Sequence, residues 1–115
     1  MPDKFGDHIR LRHILDAIES INTYVGNKDY QAFSEHPMMQ DACIRQLQVI
    51  GEACSKVSHA LREKNQQIPW QQIIGLRIIV IHEYFGVDDV VIWDVIQKDI
   101  PELQQQVSEI CKSLE

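Results

Sequence analysis

The stretch IPWQQIIGLRIIVIHEYFG, residues 68–86, decides how the chain folds. Its middle, Ile78-Ile79-Val80-Ile81, is a run of β-branched residues that local propensity assigns to a buried strand. A strand needs a partner, however, and every other long segment of the chain has a helical period. Pro69, just ahead of Trp70, is suited to the first turn of a helix. The stretch therefore reads as a helix that is apolar nearly all round, which buries on several sides: a central helix, or one covered partly by a second subunit.

Outward from that stretch the helical periods are plain. In IRLRHILDAIESINTYVGN, Leu11, Ile14, Leu15, Ile18, Ile21 and Val25 recur at intervals of three and four, and Gly26-Asn27 is the stop signal. KDYQAFSEHP reads as a short helical turn and a connection, ended where Pro37 restricts its predecessor. From Pro37 a second pattern runs through MMQDACIRQLQVIGEACSKVSHALREKN on Cys43, Leu47, Ile50, Cys54, Val57 and Leu61, and is expected to be the longest helix. Gly51 inside it costs about 1 kcal/mol relative to alanine, so a neighbouring helix is expected to come close there. The last pattern, VDDVVIWDVIQKDIPELQQQVSEICKSLE, offers Asp88 or Asp89 as an N-cap and carries Ile92, Ile96, Leu103, Val107, Ile110 and Leu114 on one face. Pro101 should kink it or divide it. The expectation is an all-α, antiparallel bundle of four to five helices, a single domain over residues 1–115.

Composition limits what such a bundle does. No segment approaches the roughly 20 apolar residues of a membrane span, and the opening MPDKFGDHIR lacks the apolar core of a signal peptide, so a cytoplasmic protein is expected. Three cysteines without C-x-x-C spacing suggest neither a disulfide framework nor a zinc site; Cys43 and Cys54 fall on the apolar stripe and are expected to be small buried hydrophobes. Seventeen acidic against eleven basic residues give a net charge of −6, which opposes generic attraction to a polynucleotide. Any such contact must be local, and a single basic cleft would suffice.

An arginine and a histidine set in the apolar run of residues 77–82 need an explanation, because a buried charge costs several kcal/mol unless something pairs with it. On a helix Arg77 and His82 stand about 140° apart, whereas Arg77 and Tyr84 share nearly one face, about 10 Å apart along the axis. They cannot form a tight triad. A long arginine arm can still bring guanidinium and imidazole to two sides of one phosphate, above all where two copies of the helix meet at a dimer axis.

The arrangement R-x-x-x-x-H-x-Y, present as Arg77, His82 and Tyr84 in GLRIIVIHEYFGVD, resembles the signature of HepT-type toxins, HEPN-superfamily ribonucleases of bacterial toxin–antitoxin pairs. The upstream IGEACSKV, the approach IPWQQIIGLR and the trailing VDDVVIWDVIQKDIPELQQQV resemble the family as well, so the likeness spans most of the chain. The resemblance implies an all-helical homodimer whose composite cleft cuts RNA with no metal or cofactor. It makes Arg77 and His82 the catalytic pair. It implies a partner, a nucleotidyltransferase antitoxin of the MntA type, that silences the toxin by transferring AMP to Tyr84. Many relatives carry a polar residue after the arginine, and this chain has Ile78. That departure leaves an alternative open, a non-catalytic helical module bound to a nucleotidyltransferase.

The residue types suit the implied chemistry. The RNA 2′-hydroxyl attacks the adjacent phosphate once a base removes its proton, and an imidazole with an unperturbed pKa of about 6.5 takes and returns protons near neutrality. A guanidinium holds phosphate oxygens as charge builds on them. Each residue also has a structural reading. Arg77 would pair with a carboxylate such as Glu52 or Glu83, His82 would sit near a helix C-terminus, and Tyr84 would be a core or interface tyrosine. For His8, His13, His36 and His59, and for Trp70 and Trp93, structural use is the expectation.

Overall fold

A computed structural model describes residues 4–78 and 88–115. The chain opens with α1 (Lys4–Val25), a 22-residue helix, and then α2 (Tyr30–Ser34) and α3 (Pro37–Ser55). Next come α4 (His59–Lys64), α5 (Trp70–Ile74) and α6 (Asp89–Asp94). A π-helical turn (Val95–Asp99) leads from α6 into the final helix, α7 (Ile100–Leu114). The fold is all-α, with no strand among the described residues. Of the β-branched run only Ile78 is described, at the end of the helical residues 76–78; Ile79, Val80 and Ile81, with His82, Glu83 and Tyr84, lie outside the described residues.

The core is the meeting of three apolar stripes. Leu11, Ile14, Ile18 and Ile21 of α1 are fully buried, as are Cys43, Leu47, Ile50 and Cys54 of α3. Ile100, Leu103, Val107 and Ile110 of α7 complete the packing. Each such side chain contributes about 1.5–3 kcal/mol on leaving water. Helix α1 packs most extensively on α3 and next on α7. Both neighbours run antiparallel to it: Asp7 at the start of α1 meets Ser58, just past the end of α3, and His8 lies 3.7 Å from Glu115 at the chain's end. Burial pushes the Cys43 thiol up to about 11 and the Cys54 thiol up to about 12, which fits inert packing.

Turns end the helices for local reasons. Gly26, at φ 55°, closes α1 in the left-handed conformation and donates to the carbonyl of Asn22 at 2.8 Å. Asp29 caps α2, and His36 Nδ1 caps α3 by accepting from Met39 N at 3.0 Å. Asp88, not Asp89, is the N-cap of α6; Asp89 instead accepts from the Tyr30 hydroxyl at 2.9 Å, and Trp93 packs on Phe33 and Tyr30.

Three expectations need correction. The second long pattern is two helices, so α1 and not α3 is the longest described. The chain leaves the helix at Lys56-Val57-Ser58 because Ser58 caps α4 through its hydroxyl while Asp7 takes its backbone N–H at 2.8 Å, the donor a continuous helix would give to Cys54. The third pattern is interrupted at Gly75, where Ile78 N bonds back to Gly75 O over three residues, not four. Ile78 is also 56% exposed in the single chain, so of the two expected readings it is burial at the centre of one chain that fails at this residue. The last pattern divides as Pro101 demanded, but ahead of the proline: Ile100 donates to Val95, five residues back, and Pro101 then sits in the first turn of α7.

Candidate active site

Of Arg77, His82 and Tyr84, Arg77 is the one among the described residues. Its placement depends on Gly51, across from it on α3. A Cβ on Gly51 would come within 2.9 Å of Arg77 Cγ and 3.1 Å of both Arg77 N and Ile73 O. Only a residue without a side chain lets the 73–77 backbone lie that close to α3. The expected close approach at Gly51 is therefore real, and it is the approach of the arginine-bearing segment.

The guanidinium reaches Glu52, the next residue on α3, and Nη1 donates to Oε2 at 3.1 Å. Lys56, one turn on, stands 3.7 Å from the other carboxylate oxygen. The donating guanidinium, helped by Lys56, holds the Glu52 carboxyl below the usual carboxylate range. The ion pair expected with Glu52 is present; the alternative Glu83 lies outside the described residues. Arg77 remains 37% exposed, while its Nε is shut from solvent with no hydrogen-bond partner among the described residues.

The pair stands in the wall of an open cleft of about 330 Å³ between α1 and α3. Arg10 and His13 line it from α1, Arg45, Glu52 and Lys56 from α3, with Arg77 closing it. Four permanent cations against one carboxylate give the lining a formal charge of +3 on a chain whose net charge is −6. This is the local basic cleft that the composition required of any polynucleotide contact. Sequence reasoning missed Arg10, His13, Arg45 and Lys56 as its members. The signal was partly there: Arg45, Glu52 and Lys56 fall within about 40° of one another on a helix, and Arg10 and His13 are three apart. Nothing in the sequence says that the two polar stripes abut.

His8, His36 and His59 have structural roles or sit on the surface, as expected; His36 is a cap and His59 lies 3.3 Å from Glu63. Trp70 is buried and its indole N–H donates to Asn65 O at 3.0 Å. Cys43, Cys54 and Cys111 are free and buried. Among the described residues no group of three or more His, Cys, Asp or Glu side chains converges as a metal site, and no helix is long and apolar enough to cross a membrane.

Residues 14–110 match the model of the family described as "Ribonuclease HepT-like", a span that contains Arg77, His82 and Tyr84. A candidate RNase of Caldanaerobacter subterraneus subsp. tengcongensis is 42% identical over 100 residues, covering 87% of this chain and 89% of the relative. A protein of Methanocaldococcus jannaschii, named as a γ-glutamylcyclotransferase and candidate RNase, is 40% identical over 107 residues, 93% of this chain; the chain spans 48% of that relative's length. A ribonuclease HepT of Thermococcus cleftensis, so named as probable, is 33% identical over 102 residues, covering 89% of this chain and 93% of the relative. No solved structure matches the chain significantly. A helical bundle with a basic cleft at its arginine, matched over most of its length by these relatives, belongs to the HepT-like ribonuclease family.

Proposed function

We propose that the protein is a metal-independent RNA endonuclease, the toxin of a toxin–antitoxin pair. The observation that carries this reading is the +3 cleft at Arg77 on an otherwise acidic chain. A phosphodiester entering it meets a guanidinium that the Glu52 carboxylate already orients, so little ordering remains to be done on binding. His82 supplies the proton chemistry. Its imidazole takes the proton of the 2′-hydroxyl, the O2′–P bond forms, the P–O5′ bond breaks, and the proton returns to the departing 5′-oxygen. The products are a 2′,3′-cyclic phosphate and a 5′-hydroxyl. Tyr84, seven residues from Arg77, is the acceptor of AMP from an MntA-type nucleotidyltransferase, and a bulky anion attached there competes with RNA for the arginine. Two copies of the chain, as a homodimer, complete the cleft.

The test is RNA cleavage in the presence of a chelator. Wild type should cut RNA and slow growth, while Arg77→Ala and His82→Ala should each lose at least about a hundredfold in rate, the scale of a lost acid–base or charge-stabilising group. Full activity in both variants would remove the reading. A second reading, the non-catalytic module bound to a nucleotidyltransferase, draws support from Ile78, which follows Arg77 and is 56% exposed, with Val90 and Val91 also exposed. It predicts a tight complex with that enzyme and no cleavage by the purified chain.

A further inference from the structure

Arg10 and Arg45 come from helices distant in sequence from the Arg77 motif, yet both line the Arg77 cleft. Among the described residues neither has an ion pair or a hydrogen-bonded carboxylate, whereas Lys56 and Arg77 share Glu52. Among the described residues the lining sets four cations against one carboxylate, and the excess positive charge repels itself, a cost to the fold that an anionic ligand would relieve. The cluster is also long. Arg45 to Lys56 is eleven residues of α3 and the adjoining turn, about 16 Å at helical rise, with Arg10 and His13 facing it from α1. A single anion would not use that length; a strand carrying a row of phosphates would.

We propose that the cleft between α1 and α3 is a track for the RNA backbone leading away from the scissile bond, and that Arg10 and Arg45 are strand-binding residues that take no part in the chemical step. The proposal rests on the ribonuclease reading. Contacts of this kind read charge and not base identity, so the track selects for strand length rather than sequence. A substrate of two nucleotides gains nothing from it.

The experiment measures binding of a single-stranded RNA oligonucleotide to the full chain in the His82→Ala background as salt is varied. Each lost phosphate contact lowers the slope of log K against log salt by about 0.7, so Arg10→Gln with Arg45→Gln should lower it by about 1.4. Lysine at both positions should keep the slope. Lys98→Gln with Lys112→Gln, which removes the same charge from exposed positions outside the cleft, should leave it unchanged. With His82 intact, the Arg10/Arg45 glutamine variant should raise KM for the long RNA far more than for a dinucleotide, with kcat for the long RNA kept. Where wild type binds and cleaves RNA, an unaltered slope, or an equal loss from the Lys98/Lys112 pair, would overturn the track alone. A wild-type chain that neither binds nor cleaves RNA would overturn the track and the ribonuclease reading together.

Discussion

Two carboxylates, Asp7 and Glu52, divide the labour of this molecule. Asp7 is 5% exposed and accepts from both the backbone N–H and the hydroxyl of Ser58, at 2.8 and 2.6 Å, fastening the start of α1 to the junction of α3 and α4. Glu52 is 52% exposed and is held by two cations, Arg77 and Lys56. A buried carboxylate with neutral donors is a structural joint, because removing it strands those donors away from water. An exposed one between cations adds little to stability, since water and salt screen it. Its worth lies in where it holds Arg77.

That contrast can be broken by substitution, beginning with the joint. Asp7→Ala should destabilise the fold by about 3 kcal/mol, the scale of charge-assisted hydrogen bonds lost with donors left unpaired. Urea denaturation checks it, with a lower midpoint and an unchanged slope. RNA cleavage by the folded fraction should persist.

A smaller effect is expected at Gly51, which lies between structure and site. Gly51→Ala gains about 1 kcal/mol of helix propensity and loses about 1–3 kcal/mol to overpacking against the 73–77 backbone, for a net loss of about 1 kcal/mol. The same urea denaturation measures it. Cleavage should fall disproportionately, because the new methyl displaces Arg77. A variant that melts lower but cuts RNA as wild type does would show that Arg77 need not sit where it does.

The smallest change in stability is expected from Glu52→Gln, because water and salt screen an exposed ion pair. The sign of its pH dependence follows from the lowered carboxyl pKa. Stabilisation by a carboxyl whose folded pKa is depressed is present above the ordinary carboxylate value, near 4.3, and is lost as pH falls through the lower folded value. Wild type and Glu52→Gln should therefore converge in stability as the solution is acidified. An NMR titration of Glu52 that gave an ordinary pKa would sink the prediction.

Sequence legibility tracked the kind of physics involved. The stripes of α1 and α3, the Gly26 stop, the buried thiols and a cap at Asp88 or Asp89 were readable because each follows from the period of a helix or the chemistry of one turn. The break at Lys56–Ser58 was not readable. It depends on Asp7, 51 residues from Ser58, whose carboxylate turns an ordinary serine into a helix end. The glycine at 51 could be recognised as a point of approach, but not what approached it. His82 and Tyr84 were legible only as a motif, and they lie outside the described residues.

The amino-acid sequence by itself determined an all-helical chain, the face each long helix buries, and the motif that marks its family, since these depend on neighbours within a turn or two. Only the tertiary structure decided that the polar faces of α1 and α3 meet in one cationic cleft around Arg77. Charges separated by dozens of residues act together only after the apolar stripes have packed, and that packing is what fixes which polar faces lie side by side.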